Sequence, residues 1–189
     1  MQPQKYTDHV AAAVMGALHA YADGRRSEWE EMDFSEDEIR WLSTLTTTEL
    51  MRFCAACRRL IKWGGINHQA FVIQRNMFEQ QRCVGEKQEA LIGLDAPVSL
   101  LTRLFGLSTA EYAELRKKLK LAPRTGRPKS LTEEQQTTVW RIWKATQGQE
   151  TVDRLLAVGS AGVPLNSAWH NLSQWIDKED ADPETAHAT

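Results

Sequence analysis

The residues in this chain best suited to chemistry are cationic and crowded into one stretch. Between Pro97 and Lys129 stand Arg103, Arg116, Lys117, Lys118, Lys120, Arg124, Arg127 and Lys129 against two carboxylates, Glu111 and Glu114. That is eight positive charges against two negative, a net +6, in a 189-residue chain whose total is −2. The remainder is correspondingly acidic, so the basic stretch is an electrostatic footprint for a polyanion. The competing reading is a helical hairpin whose lysines are solvated and complement a helix C-terminus.

The local pattern by itself leaves both readings open. Leu100, Leu101, Leu104 and Phe105 fall three and four residues apart and make one face of a first helix apolar. Gly106 can reverse the chain in the left-handed conformation. Ser108 with Glu111 is a capping box that starts a second helix, carrying Tyr112, Leu115 and Leu119 on its inner side. Two helices joined this tightly approximate a helix-turn-helix, whose second helix enters the DNA major groove, although Arg103 occupies a position the pattern reserves for an apolar residue. The outward positions are Thr109, Ala110, Ala113, Glu114 and Lys117. They hold no Asn or Gln and a single cation, so direct readout of bases is thin.

The residues after that helix, Ala122 to Lys129, contain two prolines and a glycine, which stop a helix and keep the chain extended. Arg124, Thr125 and Arg127 form a Gly-Arg-Pro arm of the kind that lies in a minor groove, where Arg meets enhanced negative potential. By itself the arm reads more readily as a plain basic linker between helices; directly after the hairpin it points to double-stranded DNA. The residues expected to contact it are Arg103, Ser108, Thr109, Ala110, Ala113, Arg116, Lys117, Lys118, Lys120, Arg124, Thr125, Arg127 and Lys129.

The elements that must position this segment read as helices. Small and apolar residues recur at helical spacing from Thr7 to Tyr21, with Gly24 as a stop. Ser35 with Glu38 and Thr46 with Glu49 are two more capping boxes. The second opens a helix through Phe53, Cys54, Cys57, Leu60 and Ile61, broken at Gly64–Gly65. Asn67 caps a long helix running to about Leu94. Thr132 with Gln135 opens a helix bearing Trp140 and Trp143; Val152 to Val158 makes a short one; and Pro164 opens the last, ending near Ile176. Strand signals are nearly absent. The expected fold is all-α, a helical bundle containing a helix-turn-helix followed by a basic Gly-Arg-Pro arm. Its divisions are an N-terminal bundle over 1–94, the basic module over 95–130, packing helices over 131–176 and an acidic disordered tail over 177–189.

Two other groups invite chemistry. Cys54 and Cys57 have metal-knuckle spacing, with Cys83 and His68 as the remaining candidate ligands, but the pair sits inside a helical pattern and has no second close pair; packing is the preferred reading. Trp140, Trp143, Trp169 and Trp175 could stack on bases in a single-strand binder. At helical spacing, core packing is the expectation. Arg141 and Lys144 could add phosphate contacts.

Composition narrows the class. With 42% hydrophobic and 25% charged residues the chain reads as a soluble globular protein. No apolar run is long enough for a bilayer and no signal peptide is visible, so a cytoplasmic, nucleoid-associated location with no membrane partner is expected. No P-loop, Gly-Xaa-Ser-Xaa-Gly, His-Glu-Xaa-Xaa-His or paired-carboxylate signature occurs, and the five histidines are scattered. The expectation is a non-enzyme needing no cofactor.

The run from Phe105 to Lys144, FGLSTAEYAELRKKLKLAPRTGRPKSLTEEQQTTVWRIWK, resembles an uncharacterised-domain family carried on integrative and conjugative elements and genomic islands of proteobacteria. The ending VPLNSAWHNLSQWID and the earlier GRRSEWEEMDFSEDEIRWLSTLTTTEL resemble the same family, so the likeness spans nearly the whole chain. More distantly, the hairpin and arm are similar to the C subunit of the flagellar master transcriptional activator, which joins a smaller D subunit to bind promoters. The resemblance implies an activator subunit controlling element genes, in a homo- or hetero-oligomer with a second regulator subunit. The flagellar subunit's zinc cysteines lie beyond its hairpin; here no cysteine follows Cys83, so that metal site does not carry over. The alternative is a helical interaction module that docks another regulator without touching DNA.

Overall fold

The computed structural model describes residues 3–57, 60–62, 65–122 and 129–181. In chain order the elements are α1 (Pro3–Ala22), α2 (Arg26–Glu31), α3 (Glu36–Ser43), α4 (Thr47–Ala56), β1 (Ile61–Lys62), β2 (Gly65–Ile66), α5 (His68–Gly93), α6 (Val98–Phe105), α7 (Thr109–Lys118), α8 (Glu133–Ala145), α9 (Thr151–Ser160) and α10 (Leu165–Ala181). Among the described residues the fold is all-α apart from one two-residue antiparallel ladder, Ile61 opposite Ile66 and Lys62 opposite Gly65.

Helix starts are written locally. Ser35, Thr46, Ser108 and Thr132 each accept from the backbone N–H three residues on, while Glu38, Glu49, Glu111 and Gln135 reach back to the cap's own N–H. Asn67 Oδ1 accepts from the Ala70 N–H at 3.3 Å at the head of α5. Three expectations are corrected. The helix opened by Thr46 stops at Ala56, not Ile61; Cys57 leaves the helical region, and Ile61 turns into β1. A helix, α2, forms over residues 26–31 where none was expected; its cap position, Arg25, makes no side-chain cap bond. The last helix continues past Ile176 to Ala181, so residues 177–181 are not tail; 182–189 lie outside the described residues.

The chain divides into two compact units, residues 1–82 and 83–189, the division falling inside α5. In the first unit α1 packs on α2, α3 and α4. Its centre is aromatic: Trp41 lies edge-on to Phe53 at 4.9 Å and to Phe71 at 5.6 Å between ring centres, and Phe53 meets Phe71 at 5.4 Å. In the second unit the end of α5 (Leu91, Ile92), α6 (Leu100, Leu101), α8 (Trp143), α9 (Leu155) and α10 (Leu172) share one buried core.

Candidate nucleic-acid interface

The basic segment belongs to the second unit, and its geometry begins at the turn between α6 and α7. Gly106 takes φ 67° and closes α6, its N–H donating to the Thr102 carbonyl. Thr102 Oγ1 donates to the Leu107 carbonyl at 2.7 Å, fixing the turn from the other side. Ser108 then opens α7, where Glu111 is held in the capping box; the Ser108 hydroxyl bond keeps its carboxyl below the usual carboxylate range. Tyr112 anchors the helix inward, its hydroxyl donating to the Ala96 carbonyl at 2.9 Å.

That anchor decides which way α7 faces. Thr109, Ala110, Ala113, Glu114 and Lys117 are all exposed, as the periodicity predicts. Lys120, exposed in the left-handed region at φ 54°, and Lys129, also exposed, extend the charge beyond the helix. No ion pair involves Lys117, Lys120 or Lys129 among the described residues.

The other predicted contact residues are placed differently. Arg116 is taken into the fold: its side chain is 13% exposed, Nη1 donates to Tyr112 Oη at 3.4 Å and lies 3.8 Å from Asp95, and Nη2 donates to the Ala122 carbonyl at 2.5 Å. Lys118 pairs with Glu89 at 2.5 Å, and Arg103 with Asp177 at 2.7 Å. Ser108 is spent on capping, its Oγ donating to Glu111 Oε2 at 2.6 Å. Arg124, Thr125 and Arg127, the arm itself, lie outside the described residues. The displayed charge on α7 is therefore thinner than counting suggests.

The cysteines and tryptophans resolve as follows. Cys54 and Cys57 are buried and Cys83 is exposed. Desolvation pushes the Cys54 thiol up to about 11 and the Cys57 thiol up to about 12. Among the described residues no group of three or more His, Cys, Asp or Glu is arranged to hold a metal ion. Trp143 is core, and Trp169 and Trp175 pack against it, but Trp140 is 47% exposed, which corrects the expectation that all four are core. The residue that sequence reasoning missed is Arg154, 5% exposed in α9. Its signal was the one cation of this helix standing directly before an apolar run, Arg-Leu-Leu-Ala-Val.

Fold and geometry thus define an all-α protein of two units, the second displaying a short helix after a tight, glycine-closed turn. No helix among the described residues is long and apolar enough to cross a membrane. The chain belongs to the family described as a protein of unknown function (DUF2857), which its residues 10–178 match. No curated protein and no solved structure matches it.

Proposed function

We propose that this protein is a DNA-binding transcriptional regulator that presents α6 and α7 as a helix-turn-helix. The observation that carries the reading is the outer face of α7. Thr109, Ala110 and Ala113 are small enough for the helix to approach base edges, and Lys117 and Lys120 follow with no carboxylate partner among the described residues. Phosphate neutralisation supplies affinity; with so few base-reading side chains on α7, selectivity falls to the Gly-Arg-Pro arm or to a second half-site. The resemblance to the element-borne family supports a role as an activator subunit for genes of an integrative and conjugative element. It also supports a cytoplasmic, nucleoid-associated oligomer with a second regulator subunit.

A gel-shift titration across salt tests the reading. Retention of duplex DNA that weakens steeply with salt and is lost in the Arg124→Ala/Arg127→Ala double variant supports it. The second reading, a helical adaptor that docks another regulator, is favoured by one observation in the first unit: Val72, Ile73 and Met77 stand about half exposed on α5. Absence of duplex retention at any salt, with a stable complex between the chain and its regulator partner, would support the adaptor instead.

A further inference from the structure

The exposed Trp140 and the buried Arg154 belong to one cleft of the second unit. A half-open cleft of about 300 Å³ lies between α8, α9 and α10, with Trp140, Trp143 and Trp175 as walls and Lys144, Lys178 and Glu179 around them. That volume is at the small end of ligand sites.

Its floor is built. The Arg154 guanidinium lies 3.6 Å over the Trp143 ring. Nη1 donates to Glu179 Oε2 at 2.5 Å, and Nη2 donates to Glu179 Oε1 at 3.1 Å and to the Trp143 carbonyl at 2.9 Å. The Trp143 indole N–H donates to the same carboxylate at 3.1 Å. Arg154 and Glu179 thereby cancel each other's charge, leaving one polar atom over: Arg154 Nε is buried with no hydrogen-bond partner. A rigid, pre-paid floor of this kind costs little to order when a ligand arrives.

The mouth has a different character. Trp140 stands edge-on to Trp175 with 5.2 Å between ring centres, and its own surface is 47% exposed. Lys144 Nζ lies 4.8 Å from the Trp140 ring centre. No ion pair involves Lys144 or Lys178 among the described residues, so the mouth is aromatic and net positive. A half-exposed indole with Lys144 against it and Lys178 in the same lining suits a flat ring that stacks and carries an anion.

We propose that this cleft binds a nucleotide, its base stacked on Trp140 and its phosphate held by Lys144 and Lys178. The chemistry is shared by a free mononucleotide and by an unpaired nucleotide of a single strand; a base inside a duplex is closed to it. The site is separate from the outer face of α7 and does not depend on the reading given to that face.

The test is a titration of the full chain, labelled with nitrogen-15 at tryptophan, followed through its seven indole N–H signals. The probes are adenosine 5′-monophosphate and a short oligothymidylate, with adenosine and inorganic phosphate as controls, and Trp140→Phe assigns the reporting signal. Saturable movement of the Trp140 and Trp175 signals, with those of Trp29 and Trp41 still, is the expected result. Response to the monophosphate marks a free nucleotide; response to the oligonucleotide alone marks a strand. Trp140→Ala weakens binding about tenfold or more, the scale of one lost base stack. Lys144→Gln weakens the phosphate-bearing probes while leaving adenosine unchanged. Lack of a saturable response to both nucleotide probes overturns the proposal, as does an equal response to inorganic phosphate alone. So does wild-type affinity in both variants.

Discussion

Arg116 and Ala122 are joined across six residues: the guanidinium of the first donates to the backbone carbonyl of the second at 2.5 Å. The bond clasps the end of α7 to the start of the basic arm. It also settles what Arg116 does, because the same guanidinium touches Tyr112 and Asp95 inside the unit. Removing it loses these hydrogen bonds, one of them to the exposed Ala122 carbonyl, so Arg116→Ala should cost about 0.5–1.5 kcal/mol of stability. Lys117→Ala, on the exposed face, should stay within about 0.5 kcal/mol. Urea unfolding of both variants checks this; equal midpoints would mean that Arg116 is not the structural cation.

His68 gives the first unit a pH dependence of known sign. Its Nδ1 sits 2.9 Å from Glu38 Oε1 and its Nε2 3.6 Å from Asp33 Oδ2. The Glu38 hydrogen bond chiefly, with the charges of Glu38 and Asp33, raises the imidazole above its usual 6.5. A group whose value is raised by folding adds stability that is complete below 6.5 and is lost as pH climbs through the folded value. The melting temperature of the wild type should therefore fall as pH rises from about 6 to about 8, and His68→Gln should flatten that decline. A decline of equal steepness in the variant would remove His68 as its source.

Periodicity and charge counting disagree about Arg116, and the structure follows periodicity. Position 116 lies one turn after Tyr112, on the inner side of α7, yet its neighbours in sequence are lysines that point to solvent. The capping boxes at Ser35, Thr46, Ser108 and Thr132 were legible because cap and partner are three residues apart. The continuation of α10 was not. Asp177 and Glu179 read as an acidic tail, but they pair with Arg103 and Arg154, 74 and 25 residues away. The cleft at Trp140 was hidden for the same reason: three helices bring its tryptophans and cations together, and spacing along one helix could suggest only a core.

Gly159 is a packing constraint rather than a turn. A Cβ there would lie 2.8 Å from Leu94 Cδ1 and 3.0 Å from Leu94 Cβ, so α9 packs this closely on Leu94, the residue after α5, only because the side chain is missing. Gly159→Ala should destabilise the second unit by about 1–3 kcal/mol, the usual cost of overfilling a core. An unchanged denaturation midpoint would show that Leu94 yields freely.

Thiol chemistry should separate the three cysteines. Burial holds Cys54 and Cys57 as protonated thiols at neutral pH, while Cys83 faces solvent. An aromatic disulfide reagent should titrate one thiol in the native protein and all three after denaturation. Rapid native reaction of Cys54 or Cys57 would contradict their placement in the core.

The central claim, that α7 and the arm meet phosphates, is tested most directly by anisotropy of a labelled mixed-sequence duplex titrated with the full chain over a range of salt. The prediction is binding whose log affinity falls linearly with log salt, with a slope of about −4 to −5 for Lys117, Lys120, Lys129 and the two arm arginines together. Lys117→Ala should make that slope shallower by about one contact's worth, near 0.9, without altering the fold. Absence of saturable binding at low salt, or a slope indifferent to Lys117 and to the arm, would contradict the account.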